Sequence, residues 1–198
     1  MPARRSGHSA RGAPSQTPEY ALEVRRRLPA ARERVWAAWT DPAALACWAA
    51  PGAMSAGPAA GGPVEVDLRV GGRFAIPMRH PDGRTHRAVG VYRVVAPPGR
   101  LVYTWRWDAD AEPAETLVTV EFLDASDAAG PATEVVLRHA GFRSAAKRTN
   151  HATGWGGCLD KLTAFVGPSA APTPPDSGAP CAAHRTSQPV TPSGPARP

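Results

Sequence analysis

The chain has 198 residues, a formal net charge of +6 and 42% hydrophobic residues. This length suits one folded domain with tails. The sequence contains no run of about eighteen apolar residues that would span a membrane, and its first twenty residues lack the apolar segment of a secretory signal. We therefore expect a soluble protein without membrane insertion.

Both ends of the chain have compositions typical of disordered segments. Residues 1–18 contain three arginines and no acidic residue, and residues 167–198 are dominated by Pro, Ser, Ala and Thr. Neither segment has enough large apolar residues to offset the entropy of ordering it. We expect a disordered basic N-terminal tail over 1–18, one folded domain over 19–166, and a disordered C-terminal tail over 167–198.

The positive charge lies mostly in these tails. They hold five arginines and one acidic residue, Asp176, which leaves 18 basic and 16 acidic residues in the predicted domain. Phosphate binding usually requires several cations clustered on one face. A solvated tail is therefore the simpler interpretation, and nucleic acid is disfavoured as a partner.

The three cysteines, Cys47, Cys158 and Cys181, are scattered along the chain and form no C-x-x-C pair. Such a pattern does not provide a disulfide framework. We expect a reduced setting and a cytoplasmic location.

The first part of the domain predicts one strand and two short helices. Apolar and charged residues alternate over 20–28, as in a strand with one solvated face. Pro29 suits the first turn of a helix, and Asp41-Pro42 predicts the N-cap and first turn of a second helix that ends at Pro51-Gly52. The apolar side chains of these helices are Val35, Trp36, Trp39, Leu45 and Trp48.

The middle of the chain predicts about six successive strands after a loop over 53–63. Gly71-Gly72 favours a hairpin or bulge, and valines on both alternations leave the register of the strand over 87–95 undetermined. Residues 108–115 predict an acidic loop. The alternating apolar or aromatic residues of the other strands are Val64, Val66, Leu68, Phe74, Ile76, Met78, Leu101, Tyr103, Trp105, Trp107, Val118, Val120, Phe122, Val135, Leu137 and His139.

The segment 143–166 predicts one long helix. The residues that recur on one face at steps of three or four are His151, Trp155, Leu159, Leu162 and Val166. A strand, two short helices, several antiparallel strands and a long helix describe an α+β helix-grip fold. In it, a curved antiparallel sheet of about six to seven strands wraps around the C-terminal helix, which often leaves a hollow.

Five segments resemble one protein family in their order and spacing. They are VWAAWTDP at 35–42, VDLRVGGRF at 66–74, PPGRLVYTW at 97–105, TEVVLRH at 133–139, and Gly154-Trp155. On these motifs the chain, over about residues 20–166, resembles the activator of heat-shock-protein ATPase homologue-like proteins of the SRPBCC or START-like helix-grip superfamily. The resemblance implies the fold given above. Because the superfamily includes lipid carriers, hormone receptors, cyclases and co-chaperone domains, the resemblance implies a cavity more than a reaction.

Two groups of residues suggest chemistry but are better explained by packing or surface pairing. His139, His151 and Cys158 would need a further converging ligand to form a metal site, and no inward carboxylate is evident. A hydrogen-bonded histidine pair and an apolar core thiol are favoured, and we expect no metal and no other cofactor. Asp67 and Arg69 alternate with inward residues, which predicts a surface pair.

The six tryptophans are the most informative feature of the composition, because those on several elements should converge on one interior and line it with aromatic rings. We predict that a small apolar or aromatic molecule binds in a cavity between sheet and long helix. The predicted lining is Trp39, Trp48, Phe74, Met78, Tyr103, Trp105, Phe122, Leu137, His139, His151, Trp155 and Leu159. One alternative is a cyclase-like or dehydratase-like enzyme that uses inward His and Tyr side chains for proton transfer. The other is a protein-interaction or co-chaperone-like module with a protein partner.

Overall fold

The computed structural model describes residues 20–109 and 115–167. The predicted tails, apart from Gly167, and most of the predicted acidic loop therefore lie outside the described residues. The elements are β1 (Tyr20–Leu28), α1 (Arg32–Thr40), α2 (Pro42–Trp48), β2 (Ser55–Ala56), a 3₁₀ turn (Gly57–Ala60), β3 (Glu65–Val66), β4 (Arg73–Arg79), β5 (Thr85–Ala96), β6 (Arg100–Trp107), β7 (Thr116–Asp124), β8 (Thr133–Phe142) and α3 (Ala145–Val166).

The strands form one curled antiparallel sheet in the order β1-β8-β7-β6-β5-β4-β2, and β3 also pairs with β4. Helix α3 packs against β1, α1 and α2. Its buried residues are Cys158, Leu159, Leu162 and Val166. This is the α+β helix-grip architecture predicted from the sequence. Among the described residues, no helix is long and apolar enough to cross a membrane.

Three predicted boundaries were wrong in detail. Helix α1 begins at Arg32 rather than at Pro29, because the Thr133 hydroxyl donates a hydrogen bond of 2.7 Å to the Ala30 carbonyl and ties this turn to β8. Helix α3 begins at Ala145, where the Ser144 side chain accepts from a backbone N–H of the first turn. The predicted loop over 53–63 contains β2 and the 3₁₀ turn, and β2 pairs with β4.

Strand β5 contains the irregularity that left its register undetermined. The pairing with β6 shifts between Tyr92 and Val94, so the inward positions step from Tyr92 to Val95. A bulge of this kind moves the alternation by one residue. Before the bulge, Gly90 lets the two strands approach closely, since a Cβ at this position would lie 1.8 Å from the Thr104 carbonyl oxygen.

The loop after α2 is held against α3 by a glycine and a lysine. A Cβ on Gly157 would lie 3.2 Å from the Gly52 nitrogen, so the helix and the loop nearly touch. One turn further along, the Lys161 ammonium donates to the carbonyl oxygens of Ala50 and Met54 at 2.6 and 2.9 Å. These contacts fix the end of α2 beside the interior of the fold.

Candidate functional site

An interior cavity of about 40 Å³ lies between the short helices, the sheet and α3. Helices α1 and α2, strands β4, β5 and β6, and helix α3 all contribute to its wall. The lining residues are Trp39, Leu45, Trp48, Ala49, Phe74, Ile76, Met78, Tyr92, Tyr103, Trp105 and Trp155. None of them carries a charge, and most are aromatic.

Ring contacts hold the aromatic wall in place. The Trp39 ring stacks on Trp155 at 6.3 Å between centroids, and it also packs against Trp48 at 4.7 Å. Trp48 is fixed in turn, because its indole N–H donates to the Ala38 carbonyl at 2.8 Å. Buried indoles usually need such a partner. Helices α1, α2 and α3 therefore present one continuous indole surface to the cavity.

The volume limits what this cavity can hold as it stands. About 40 Å³ is more than the roughly 10–15 Å³ that one water needs. It is well below the roughly 300–1,000 Å³ of typical small-molecule pockets. Ile76 and Trp155 are the half-buried members of the lining, and they mark where the cavity approaches the surface.

Two tyrosine hydroxyls are the main polar groups on the strand side of the cavity. Tyr92 and Tyr103 are paired across β5 and β6, with ring centroids 5.9 Å apart, and both rings pack on Phe74. Burial raises the pKa of both hydroxyls above the ordinary value, and a hydrogen bond from the Trp39 indole opposes this effect at Tyr103. Both phenols are therefore neutral at physiological pH.

Behind the cavity wall, His139 is completely buried in a short polar relay. The Trp155 indole N–H donates to its Nδ1 at 3.1 Å, so Nδ1 is unprotonated. Its Nε2–H then donates to the Thr116 hydroxyl at 2.7 Å, and that hydroxyl donates to the Trp105 carbonyl at 2.8 Å. Burial and the nearby His151 lower the pKa of His139 to about 3.

The structure places the predicted lining residues in three groups. Those that face the cavity are Trp39, Trp48, Phe74, Met78, Tyr103, Trp105 and Trp155. Phe122, Leu137 and Leu159 instead fill the solid core, where each is at most 1% exposed. His139 and His151 lie behind Trp105, and the two imidazoles are not hydrogen-bonded to each other in the predicted way. Each bonds elsewhere, and the His151 Nδ1 contacts the Lys147 carbonyl at 2.8 Å.

Four lining residues were not predicted: Leu45, Ala49, Ile76 and Tyr92. Leu45 and Ile76 belong to predicted apolar faces, so a pattern was available for them. Tyr92 lies immediately before the bulge of β5, where alternation alone does not give the face. Ala49 follows the last turn of α2 and carries no sequence signal that distinguishes it.

Other candidate sites are weaker. Within residues 20–109 and 115–167, no three His, Cys, Asp or Glu side chains converge as metal ligands. Asp67 and Arg69 form an exposed ion pair at 2.9 Å, as predicted for a surface position. A depression of about 300 Å³ beside the β7–β8 turn is lined by exposed residues that include Arg27, Pro29 and Asp127, which form part of the outer surface.

Comparisons with known proteins give a family and a set of similar folds. The family model described as "Activator of Hsp90 ATPase homolog 1-like protein" matches residues 29–167. Protein CV1439 from Chromobacterium violaceum has 29% identity and a TM-score of 0.63, with 76% of this chain and 99% of that chain covered. CalU16 from Micromonospora echinospora has 26% identity and a TM-score of 0.53, with 75% and 76% covered.

A third solved structure, the AHSA1 protein from Silicibacter pomeroyi, has a TM-score of 0.63 at 24% identity, with 73% of this chain and 96% of that chain covered. At this identity the likeness concerns the fold. Among curated proteins, none matches this sequence.

Proposed function

The chain belongs to the family of Activator of Hsp90 ATPase homolog 1-like proteins, and we propose that it binds a small apolar or aromatic molecule between the sheet and the long helix. The observation that supports this proposal is the uncharged, mostly aromatic cavity. Binding sites for small molecules are typically lined in this way, with a few polar groups that orient the ligand.

The lining favours an apolar occupant over water. Two of the three indoles of the helical side direct their N–H groups at other protein groups, since Trp48 donates to the Ala38 carbonyl and Trp155 to the His139 Nδ1. Their faces offer a water molecule few hydrogen bonds, whereas they offer an apolar ring close van der Waals contact. Transfer of apolar surface from water to such a wall is favourable.

The size of the cavity sets the size class of the ligand. A molecule of one ring needs more than about 40 Å³, so a partly exposed wall residue has to move. Trp155 is suited to this role because it is half-buried, and the one hydrogen bond that it loses on rotation is worth only about 0.5–1.5 kcal/mol. Larger ligands would require displacement of the core beneath.

The alternative of acid–base catalysis has less support. Both ring nitrogens of His139 are engaged, its pKa is lowered to about 3, and it does not line the cavity. Burial raises the pKa of both tyrosines, so their phenolates do not form near neutral pH to act as bases, and the neutral phenols are weak acids. A protein-interaction role and a cytoplasmic location stay predictions; pulldown with a defined partner and cell fractionation would test them.

A cavity-filling variant tests the proposed site. Ala49→Leu places a larger side chain in the cavity, and Ala59→Leu adds the same atoms at an exposed position of the 3₁₀ turn. With isopropylbenzene as the probe, followed by calorimetry, we expect saturable binding to the wild type and to Ala59→Leu. Affinity should fall about tenfold or more in Ala49→Leu, equivalent to about 1.4 kcal/mol.

Thermal unfolding of both variants checks that the fold is retained. The proposal is wrong if the wild type shows no saturable binding, or if a folded Ala49→Leu variant binds as tightly as the wild type. Native mass spectrometry of freshly purified protein gives an independent readout, since a co-purified apolar molecule would add a defined mass.

A further inference from the structure

We propose that the cavity selects a neutral molecule that presents one hydrogen-bond acceptor oxygen, such as a ketone or ester carbonyl, to the hydroxyls of Tyr92 and Tyr103. This inference rests on the proposed function, because it names the ligand class of the same cavity. It concerns the polar part of the ligand, whereas the proposed function concerns its apolar body.

The two tyrosines are held beside each other in the cavity wall. Tyr92 and Tyr103 face each other across β5 and β6, and Phe74 packs against both rings at 5.7 and 5.2 Å. The three rings are therefore held as a unit, all three line the cavity, and two of them are tyrosines. We expect a ligand oxygen at this wall to reach their hydroxyls.

Each neutral tyrosine hydroxyl has one proton to donate. Among residues 20–109 and 115–167, no hydrogen bond joins either tyrosine hydroxyl to an acceptor, and neither oxygen is among the completely buried polar atoms, so each keeps some accessible surface. An acceptor oxygen on the ligand would accept these hydroxyl protons, in the place of a water.

Both hydroxyls keep their protons at every physiological pH, and both can therefore donate a hydrogen bond to a ligand. Burial raises the pKa of both tyrosines, so neither becomes a phenolate that would repel a carbonyl oxygen. The complementary ligand group is consequently an acceptor.

The uncharged lining of the cavity disfavours charged ligands. No lining residue is ionisable near neutral pH, and the nearby Lys161 ammonium is engaged with the Ala50 and Met54 carbonyls. An ionised carboxylate or ammonium in the cavity would lose its hydration without gaining an opposite charge, which is strongly unfavourable. A neutral oxygen avoids this desolvation penalty.

Three probes with the same number of non-hydrogen atoms test the inference: isopropylbenzene, acetophenone and benzoate. Their dissociation constants are measured by calorimetry for the wild type, Tyr92→Phe and Tyr103→Phe. Each substitution keeps the ring and removes only the hydroxyl. Tyr20→Phe is the matched control, because Tyr20 is half-buried on β1 and does not line the cavity.

We expect acetophenone affinity to fall about 3- to 10-fold in Tyr103→Phe or Tyr92→Phe, the loss of one hydrogen bond. Isopropylbenzene affinity should change less than about twofold in the same variants, because a methyl group forms no hydrogen bond to either hydroxyl. Tyr20→Phe should affect neither probe, and benzoate should not bind saturably.

The possible failures are distinguishable. If isopropylbenzene binds but both tyrosine variants bind acetophenone as tightly as the wild type, the preference for an acceptor oxygen is wrong and the apolar site remains. Benzoate binding as tight as acetophenone binding would also overturn the inference. If no probe binds the wild type, the proposed function and the inference both fail.

Discussion

The buried imidazole of His139 should make the stability of this protein depend on pH in a defined window. The pKa of this group is 6.5 in a model peptide and is lowered to about 3 in the fold, chiefly by burial and also by His151. Between these values the unfolded chain binds a proton that the folded protein does not. Stability is therefore full above about pH 6.5 and falls as the pH is lowered through the window.

The expected size of the effect follows from linkage. Each pH unit within the window costs about 1.4 kcal/mol, so the free energy of unfolding should fall by about 2–3 kcal/mol between pH 7 and pH 4.5. Urea unfolding at constant ionic strength measures this difference. In His139→Leu the group that titrates is absent, and the slope in this window should become much shallower.

Val135→Ala provides the matched control, because it truncates a fully buried apolar residue of the same strand without removing a titrating group. It should lower stability at every pH and keep the wild-type slope. Exposed carboxylates with lowered pKa values also reduce stability as the pH falls, but at lower pH than His139, and they are present in both variants. They are Glu23, Asp82, Asp124 and Asp127. Parallel curves for the wild type and His139→Leu between pH 4.5 and 6.5 would refute the reasoning.

Two glycine predictions follow from the space around each Cα. Gly90→Ala would place a Cβ 1.8 Å from a β6 carbonyl oxygen, so we expect the free energy of unfolding, measured with urea, to fall by about 3 kcal/mol or more. The Cβ of Gly99→Ala would lie 3.9 Å from its nearest atom, and this variant should lose far less stability. In α3, Gly156→Ala has open space and should raise stability by about 0.5–1 kcal/mol, but Gly157→Ala meets the Pro51-Gly52 loop and should give no such gain. Equal effects within either pair would contradict the packing described here.

The sequence predicted the elements whose pattern is repeated over many residues. The face of α3 that carries Leu159, Leu162 and Val166 is buried as the helical period requires. The bulge at Tyr92 and Val94 was not predictable in this way, because it interrupts the period that carries the signal. Just before it, at Gly90, the two strands approach closely, and this contact between residues distant in sequence is likewise not encoded in a local pattern.

The polar relay was partly visible in the sequence. Thr116 continues the inward alternation of Val118 and Val120, and its strand neighbours the one that ends near His139. A polar residue at such a position indicates an internal partner, since a buried hydroxyl needs one. The cavity volume had no comparable signal. It depends on how the side chains of six elements fill the space together, and the same pattern of apolar residues fits a solid core or a hollow one.

The relay also explains why the partly exposed Trp155 keeps one orientation in the cavity wall. Trp155 is half-buried, and packing alone would allow its ring to rotate about the side-chain bonds. The hydrogen bond to the His139 Nδ1 selects the orientation in which the ring face stacks on Trp39 at 6.3 Å. This bond requires an unprotonated Nδ1, and the lowered pKa of His139 keeps it unprotonated from neutral pH down to about pH 4. The burial that makes His139 unsuitable as an acid–base group is thus what makes it a dependable acceptor for the indole that closes the cavity.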